Sequence, residues 1–480
     1  MPFRLPRALI ALATALITWS AAAATTPTCT DRQRAAERPA GVPAQLPELT
    51  YRCERLDHSG TAVWIGEAGR QHDTSVLLVH GLGHMAHRDW REVIGPLAAH
   101  FHVIVVDLPG FGASDALGRG HSFADLDRAL DEVVARHARG GRAHVVGHSL
   151  GGAVSLNFAH RHPDRVDRLV LVDAAGILLM NLLAMTPERV ALPEVGIAGV
   201  DRVMRRVDAR VNGWGRSLVG RIDNNVDLGR WLKRNPAARH ALLGPHTQVN
   251  AAIGLMEHDF SAAVREVRAP TTLIWGADDP VAPVRTGRAL AARMNDARLH
   301  VIDHAAHVPM NQRPVEFQAL LMTALAGPAE PGEDSPAVPR ASQGDMACDA
   351  RLGAQYTGRF GHIELVNCQA VVIRDAQLDR LTMVNSTATL DNVTIGTGDG
   401  VAMDARRSKV VATGVTLSGR VAVRADASTL DLAAARLSAS ERGVEVVTPS
   451  WIYFSISQIE APDHRGSAHL AWPTIPSPPP

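Results

Sequence analysis

The chain has 480 residues, 46% of them hydrophobic, and carries 49 basic against 49 acidic side chains. A chain this long exceeds one ordinary hydrophobic core, so two domains are expected, both globular rather than disordered. Charge neutrality, with Lys233 and Lys409 the only lysines, leaves no electrostatic footprint for nucleic acid or an anionic membrane.

At the amino terminus, Arg4 and Arg7 precede an apolar run from Ala8 to Trp19 and a small-residue series ending near Ala24. This is the pattern of a signal peptide over residues 1–24 and predicts an exported, periplasmic or secreted protein. A retained membrane anchor is the competing reading, although the strongly apolar part is short for a span. Four cysteines suit export. They fall as two separated pairs, Cys29 with Cys53 and Cys348 with Cys368, and each pair is expected to close a local disulfide.

From Thr74 onward, apolar strands alternate with Gly-rich turns and helical stretches: "SVLLVHGLG", "FHVIVVDLPGFG", "AHVVGHSLGG", "DRLVLVDAAG", "PTTLIWGADD" and "RLHVIDHAAH". Continuous Val/Ile/Leu runs in this rhythm predict a parallel sheet covered on both faces, with its chemistry in the loops at the carboxyl ends of the strands. Over residues 176–267 the alternation stops, and a helix-rich insertion rich in Leu, Met and Arg reads as a cap. Its apolar segment "GILLMNLLAM", Gly176 to Met185, suits either an apolar substrate or core packing. A Pro/Gly/Ser/acidic linker spans residues 327–343, which divides the chain into a first domain over 25–326 and a second over 344–480. A linker so poor in apolar residues predicts halves that separate.

The second domain has another grammar. "VAMDARRSKVVATGVTLSG" from Val401 aligns with "VAVRADASTLDLAAARLSA" from Val421, a period of roughly twenty residues with apolar positions alternating. Each repeat can bury only one face, so the repeats are expected to stack as a parallel β-helix, with a β-sandwich as the rival. Trp451, Tyr453, Phe454 and Trp472 are candidates to cap the stack. Asp379, Asp391, Asp399 and Asp404 could imitate the carboxylates of a sugar-cleaving β-helix, but on such a turn-rich scaffold most aspartates are expected to serve turns and solvent exposure.

Chemistry concentrates in the first domain. G-x-S-x-G alone is a weak signal, but around Ser149 it is preceded by an apolar strand and followed by an apolar-periodic helix. That is the context of a nucleophile elbow, in which Gly147 and Gly151 let two backbones approach around a strained, exposed serine. Serine needs a base at neutral pH. His307 is expected to supply it, in preference to His304; a metal reading of His300, His304 and His307 is disfavoured because one of them lies within the strand. The orienting acid is expected at Asp279 rather than Asp278, with Asp173 after "LVLV" as a rival site. The order Ser, Asp, His is the order this fold expects. Leu82 in "HGLG" and Leu150 at the helix start can offer backbone N–H groups to an oxyanion. His84 and His87 read as surface or pocket-rim groups.

Together, HGLG, DLPGFG from Asp107 to Gly112, GHSLGG, WGADDPVAP and the late histidine resemble the α/β-hydrolase superfamily over about Leu46 to Leu325. The resemblance implies Ser149 as nucleophile, Asp279 as acid, His307 as base, and Leu82 and Leu150 as oxyanion donors, with no cofactor and no metal. The chain departs from the family at Ala306, where glycine is usual before the histidine. Serine at the elbow argues against the dehalogenase and epoxide hydrolase branches, which use aspartate there. Export and the apolar cap segment favour a small-molecule ester with an apolar acyl or alkyl part. Amidase, peptidase or carbon–carbon hydrolase activity remains open, as does a noncatalytic envelope or glycan binder acting through the C-terminal domain.

Overall fold

A computed structural model of the chain describes Cys29 and residues 49–83, 86–117, 122–178, 250–252, 254–255, 258–327 and 341–474. The signal segment, His84, most of the linker and residues 179–249 of the expected cap lie outside the described residues. The strands β1 (Thr50–Arg55), β2 (Ala62–Ala68), β3 (Ser75–Val79), β4 (His102–Val106), β5 (Ala143–His148), β6 (Val166–Val172), β7 (Thr271–Gly276) and β8 (Ala297–Ile302) form one sheet in the order β1-β2-β4-β3-β5-β6-β7-β8. Pairing is antiparallel from β1 through β4 and parallel from β4 to β8.

Because β3, β4 and β5 are buried along their whole length, helices must cover both faces. On one face lie α1 (Arg91–Ala98) and α6 (Pro314–Ala326), whose Ile94, Leu97, Phe317 and Leu321 pack on Val76, Leu78 and Val105. On the other lie α2 (Phe123–His137), α3 (Leu150–Arg161), α4 (Ser261–Glu266) and α5 (Val284–Ala291). The start of α2 is set by a capping box: the Ser122 hydroxyl accepts from Asp125 N, and the Asp125 carboxylate accepts from Ser122 N. Ile177 and Leu178, the described apolar part of the cap segment, are buried in the core of this domain.

Eleven further strands make the second domain: β9 (Met346–Asp349), β10 (Gln355–Val366), β11 (Val371–Val384), β12 (Thr387–Gly396), β13 (Val401–Arg406), β14 (Lys409–Thr413), β15 (Thr416–Asp426), β16 (Thr429–Ala433), β17 (Arg436–Val446), β18 (Ser450–Ala461) and β19 (His464–Thr474). All pair in parallel except β19, which returns antiparallel along β18. This is a solenoid, since a sandwich would alternate strand direction. Val401 lies opposite Val421 and Arg406 opposite Asp426, so the repeat visible in the sequence is the rung-to-rung register.

Inside one corner runs a ladder of buried serines. Cys368 N donates to Ser386 Oγ (2.9 Å), Ser386 N to Ser408 Oγ (3.1 Å), Ser408 N to Ser428 Oγ (3.0 Å) and Ser428 N to Ser450 Oγ (3.1 Å). Of the four aspartates expected to serve turns and solvent exposure, Asp379, Asp391 and Asp404 lie on strands and not in turns, with Asp379 exposed. There Asp404 pairs with Arg406 and Asp391 with Arg288 of the first domain, because a solenoid's outer face is the place where a long rung can leave a charge. Phe454 fills the interior and does not cover the end of the stack, while Trp451 is exposed. Both cysteine pairs, Cys29–Cys53 and Cys348–Cys368, are disulfides.

Candidate active site

The turn between β5 and α3 holds Ser149 at φ 52° and ψ −117°, a conformation that L side chains rarely adopt. The glycines two residues to either side allow this because they carry no side chains. A Cβ on Gly147 would stand 2.4 Å from the Gly151 carbonyl oxygen, and one on Gly151 would stand 2.4 Å from the carbonyl oxygens of Val79 and His80. The backbone is held by Ser149 N donating to Val172 O at 2.9 Å and by Ala175 N donating to Ser149 O at 3.2 Å.

Two other loops meet this hydroxyl. His307 Nε2 lies 2.9 Å from Ser149 Oγ, and His307 Nδ1 lies 2.8 Å from Asp279 Oδ2. A carboxylate accepts, so Nδ1 carries the proton and Nε2 faces the serine as an acceptor. The second oxygen of Asp279 accepts from Val281 N (2.7 Å) and Ala282 N (3.0 Å). Burial by itself would raise the Asp279 carboxyl; the hydrogen bond and charge of His307 and the two N–H groups outweigh it and hold it below the usual aspartate range. Asp278, next in the chain, is exposed.

Asp173 is also brought here, at the end of β6, but in another state. It is fully buried, accepts from Gly276 N at 2.9 Å, and its Oδ2 has no hydrogen-bond partner among the described residues. Burial, reinforced by the charge of Asp279, raises it well above the usual range. His304 is exposed on the turn after β8. That turn takes its positive φ at His304 (57°) and not at Ala306, so alanine fits where glycine was expected.

Leu150 begins α3, and the backbone of Gly81 runs against Ser149: a Cβ on Gly81 would lie 3.1 Å from Ser149 Cβ. Leu82, next in the chain after Gly81, is 41% exposed.

Several supporting residues were not legible as such in the sequence. His148 stands one residue before Ser149, where its Nε2 donates to the His307 carbonyl oxygen at 2.6 Å. Its other face approaches Asp89, which accepts from Gly81 N at 3.3 Å, so one buried imidazole lies among the segments carrying Ser149, His307 and Gly81. His80 Nε2 accepts from Leu108 N (3.0 Å) while Nδ1 donates to Gly81 O (2.8 Å). His87, expected at the surface or pocket rim, is buried on the carboxylate of Asp107, where Asp107 Oδ1 lies 2.9 Å from its Nδ1. The cause is long-range: Asp107, directly after β4, is fully buried, and the chain turns back to supply donors for its carboxylate from His87 and Ala113. The only sequence signal was histidine and aspartate recurring within the quoted turns.

A family model described as the alpha/beta hydrolase fold matches residues 74–314, half of the chain. The chain belongs to the α/β-hydrolase fold family. Among its relatives is the 2-hydroxy-6-oxo-6-phenylhexa-2,4-dienoate hydrolase of Burkholderia cepacia, 29% identical over 283 residues that cover 56% of this hydrolase and 92% of the relative. Another is the 2-hydroxy-6-oxononadienedioate/2-hydroxy-6-oxononatrienedioate hydrolase of Comamonas testosteroni, 30% identical over 281 residues, covering 56% and 92%. Among solved structures, the enol-lactonase from Burkholderia xenovorans aligns with a TM-score of 0.41 and 21% identity, over 57% of this hydrolase and all of that chain.

Proposed function

We propose that this α/β-hydrolase is a serine hydrolase that cleaves carboxylic esters with an apolar acyl or alkyl part, acting after export. The observation that carries the reading is the unbroken hydrogen-bonded line Ser149–His307–Asp279 ending on a strained elbow. His307 Nε2 takes the Ser149 proton as Oγ attacks the ester carbon, and the N–H groups of Leu82 and Leu150 receive the oxyanion. Collapse expels the alcohol, which takes the proton from His307. Water, deprotonated by the same imidazole, then releases the acid and restores the serine.

A second reading is supported by the two relatives, whose names specify 2-hydroxy-6-oxo-dienoates. Under it, the same residues act on a ketone and the leaving group is carbon. Turnover of a panel containing aryl esters, anilides and a 2-hydroxy-6-oxo-dienoate separates the two readings. Ser149→Ala should lower ester turnover by roughly a thousandfold or more and abolish labelling by a fluorophosphonate. Unlabelled Ser149 in folded wild-type protein would count against any acyl-serine mechanism and favour a noncatalytic binder.

A further inference from the structure

On a free solenoid rung, side chains alternate between interior and solvent. On β16, "TLDLA", that alternation is lost. Leu430 and Leu432 fill the solenoid interior, yet the outward residues Asp431 and Ala433 are also buried, and Ala433, Ala434 and Ile456 belong to the core of the hydrolase domain. The covering elements are α4 and α5. Arg265 donates to Ser467 Oγ, Arg293 to Gln458 Oε1 (3.2 Å), and Arg288 reaches Asp391 at 3.1 Å. The halves are therefore packed together, contrary to what the linker's composition predicts.

The tightest of these contacts stands next to the acid loop. Arg285, second residue of α5, spends its guanidinium entirely on solenoid acceptors: Nε on Thr413 Oγ1 (2.7 Å), Nη1 on the Asp431 carboxylate, and Nη2 on the carbonyl oxygens of Ala412 (2.8 Å) and Asp431 (3.2 Å). Six residues earlier stands Asp279. Between them, Val281 N and Ala282 N hold the Asp279 carboxylate, Ala282 O accepts from the buried indole of Trp275 (2.7 Å), and Thr286 N caps back onto Pro283 O (2.6 Å). Residues 279–286 are thus one hydrogen-bonded unit, pinned by Trp275 on the hydrolase side and by Arg285 on the solenoid side.

We propose that Arg285 is a positioning residue for the acid, and that the solenoid serves as a built-in buttress of the active site through Thr413, Ala412 and Asp431. A guanidinium held by four acceptors in a rigid rung cannot shift without breaking charge-assisted bonds. Its loss lets the loop carrying Asp279 relax, and small misplacements of a catalytic group cost rate more than binding. The proposal rests on the reading of Asp279 as the triad acid.

The test uses the full chain and compares Arg285→Met with Arg285→Lys and with Arg288→Gln, which removes a half-exposed interdomain pair away from the acid loop. Arg285→Met should lower kcat for an aryl ester about tenfold with KM within about twofold. Arg285→Lys, keeping one donor for Asp431, should recover part of the loss, and Arg288→Gln should stay within about twofold of wild type. In parallel, amide hydrogen exchange over residues 277–286 should accelerate in Arg285→Met. Should that variant fail to fold, Asp431→Asn attacks the same bond from the solenoid and should show faster exchange and a kcat loss of about threefold. Wild-type kcat with unchanged exchange would overturn the proposal, and so would an equal loss in Arg288→Gln. A wild-type protein that no fluorophosphonate labels would defeat the catalytic reading, while the exchange comparison would still decide whether the solenoid holds the loop.

Discussion

Two aspartates flank the candidate active site from neighbouring strand ends, and their surroundings shift their carboxyls in opposite directions. Asp279 has three donors, the imidazole of His307 and two backbone N–H groups, whereas Asp173 has one donor and no exposed surface. Burial, reinforced by the charge of Asp279, raises the Asp173 carboxyl well above the usual aspartate range. The sign of the linkage follows. A carboxyl raised in the folded state gives its full stability below the unfolded value of about 3.9 and loses it as pH rises toward the folded value. Asp173→Asn keeps the oxygen that accepts from Gly276 and cannot ionise, so it should unfold at higher temperature than wild type at pH 8, with the gain vanishing near pH 4. Its kcat should stay within a few fold, while Asp279→Asn should lose about a hundredfold or more. Thermal melts across pH together with ester kinetics check this; a larger kinetic loss from Asp173→Asn would transfer the acid role to it.

At the scale of the element, the solenoid solves a problem that its apolar alternation leaves open. Every rung turns a corner, and the backbone N–H groups there point inward, away from water. The residues before three of the four corner serines, Asn385, Arg407 and Ala427, take positive φ of 49°, 46° and 49°, which aims the following N–H at the next rung's hydroxyl. Removing one hydroxyl leaves a buried donor without an acceptor, a cost of about 1–3 kcal/mol. Ser408→Ala, which orphans Ser386 N, should therefore lower unfolding free energy by that amount in denaturant titration, although serine to alanine is ordinarily mild. A change under about 0.5 kcal/mol would mean that the corner admits water. The Cys348–Cys368 disulfide closes the first turns of the same stack, with a separation of 20 residues.

Across the whole molecule, two domains with distinct sheets share buried surface. Arg293 is 5% exposed beneath the solenoid; burial, with the nearby charges of Arg436 and Arg265, pushes its guanidinium down to about 10, and it remains a cation at neutral pH. Such a group is tolerable only where its neighbours stay in place. The intact protein is accordingly expected to unfold in one calorimetric transition. Ala433→Glu, which drives a carboxylate into the contact between β16 and the hydrolase core, should separate it into two, with the earlier one belonging to the hydrolase half. Two transitions already present in wild type would show that the interface contributes little.

Much of this was legible in the sequence, and for local reasons. Strand–turn–helix around Ser149, the order Ser, Asp, His, and the twenty-residue repeat are properties of short segments, in which apolar period and glycine placement dictate the backbone. The fold class of both halves follows from them. Other features depend on residues far apart in the chain. Whether Asp173 or Asp279 holds the imidazole depended on which strand end His307 meets, and the state of each carboxyl depended on donors counted in space. His87 and His148 were unremarkable as letters and became buried partners only when β4, β5 and the loop after β8 converged. The linker's polarity suggested independent halves, because composition reports what a segment itself cannot bury. It carries no record of Arg285 and Asp431, 146 residues apart, meeting across an interface. Backbone rhythm is encoded locally, whereas charge state and domain contact arise from the packing of distant segments, and only the tertiary structure decides them.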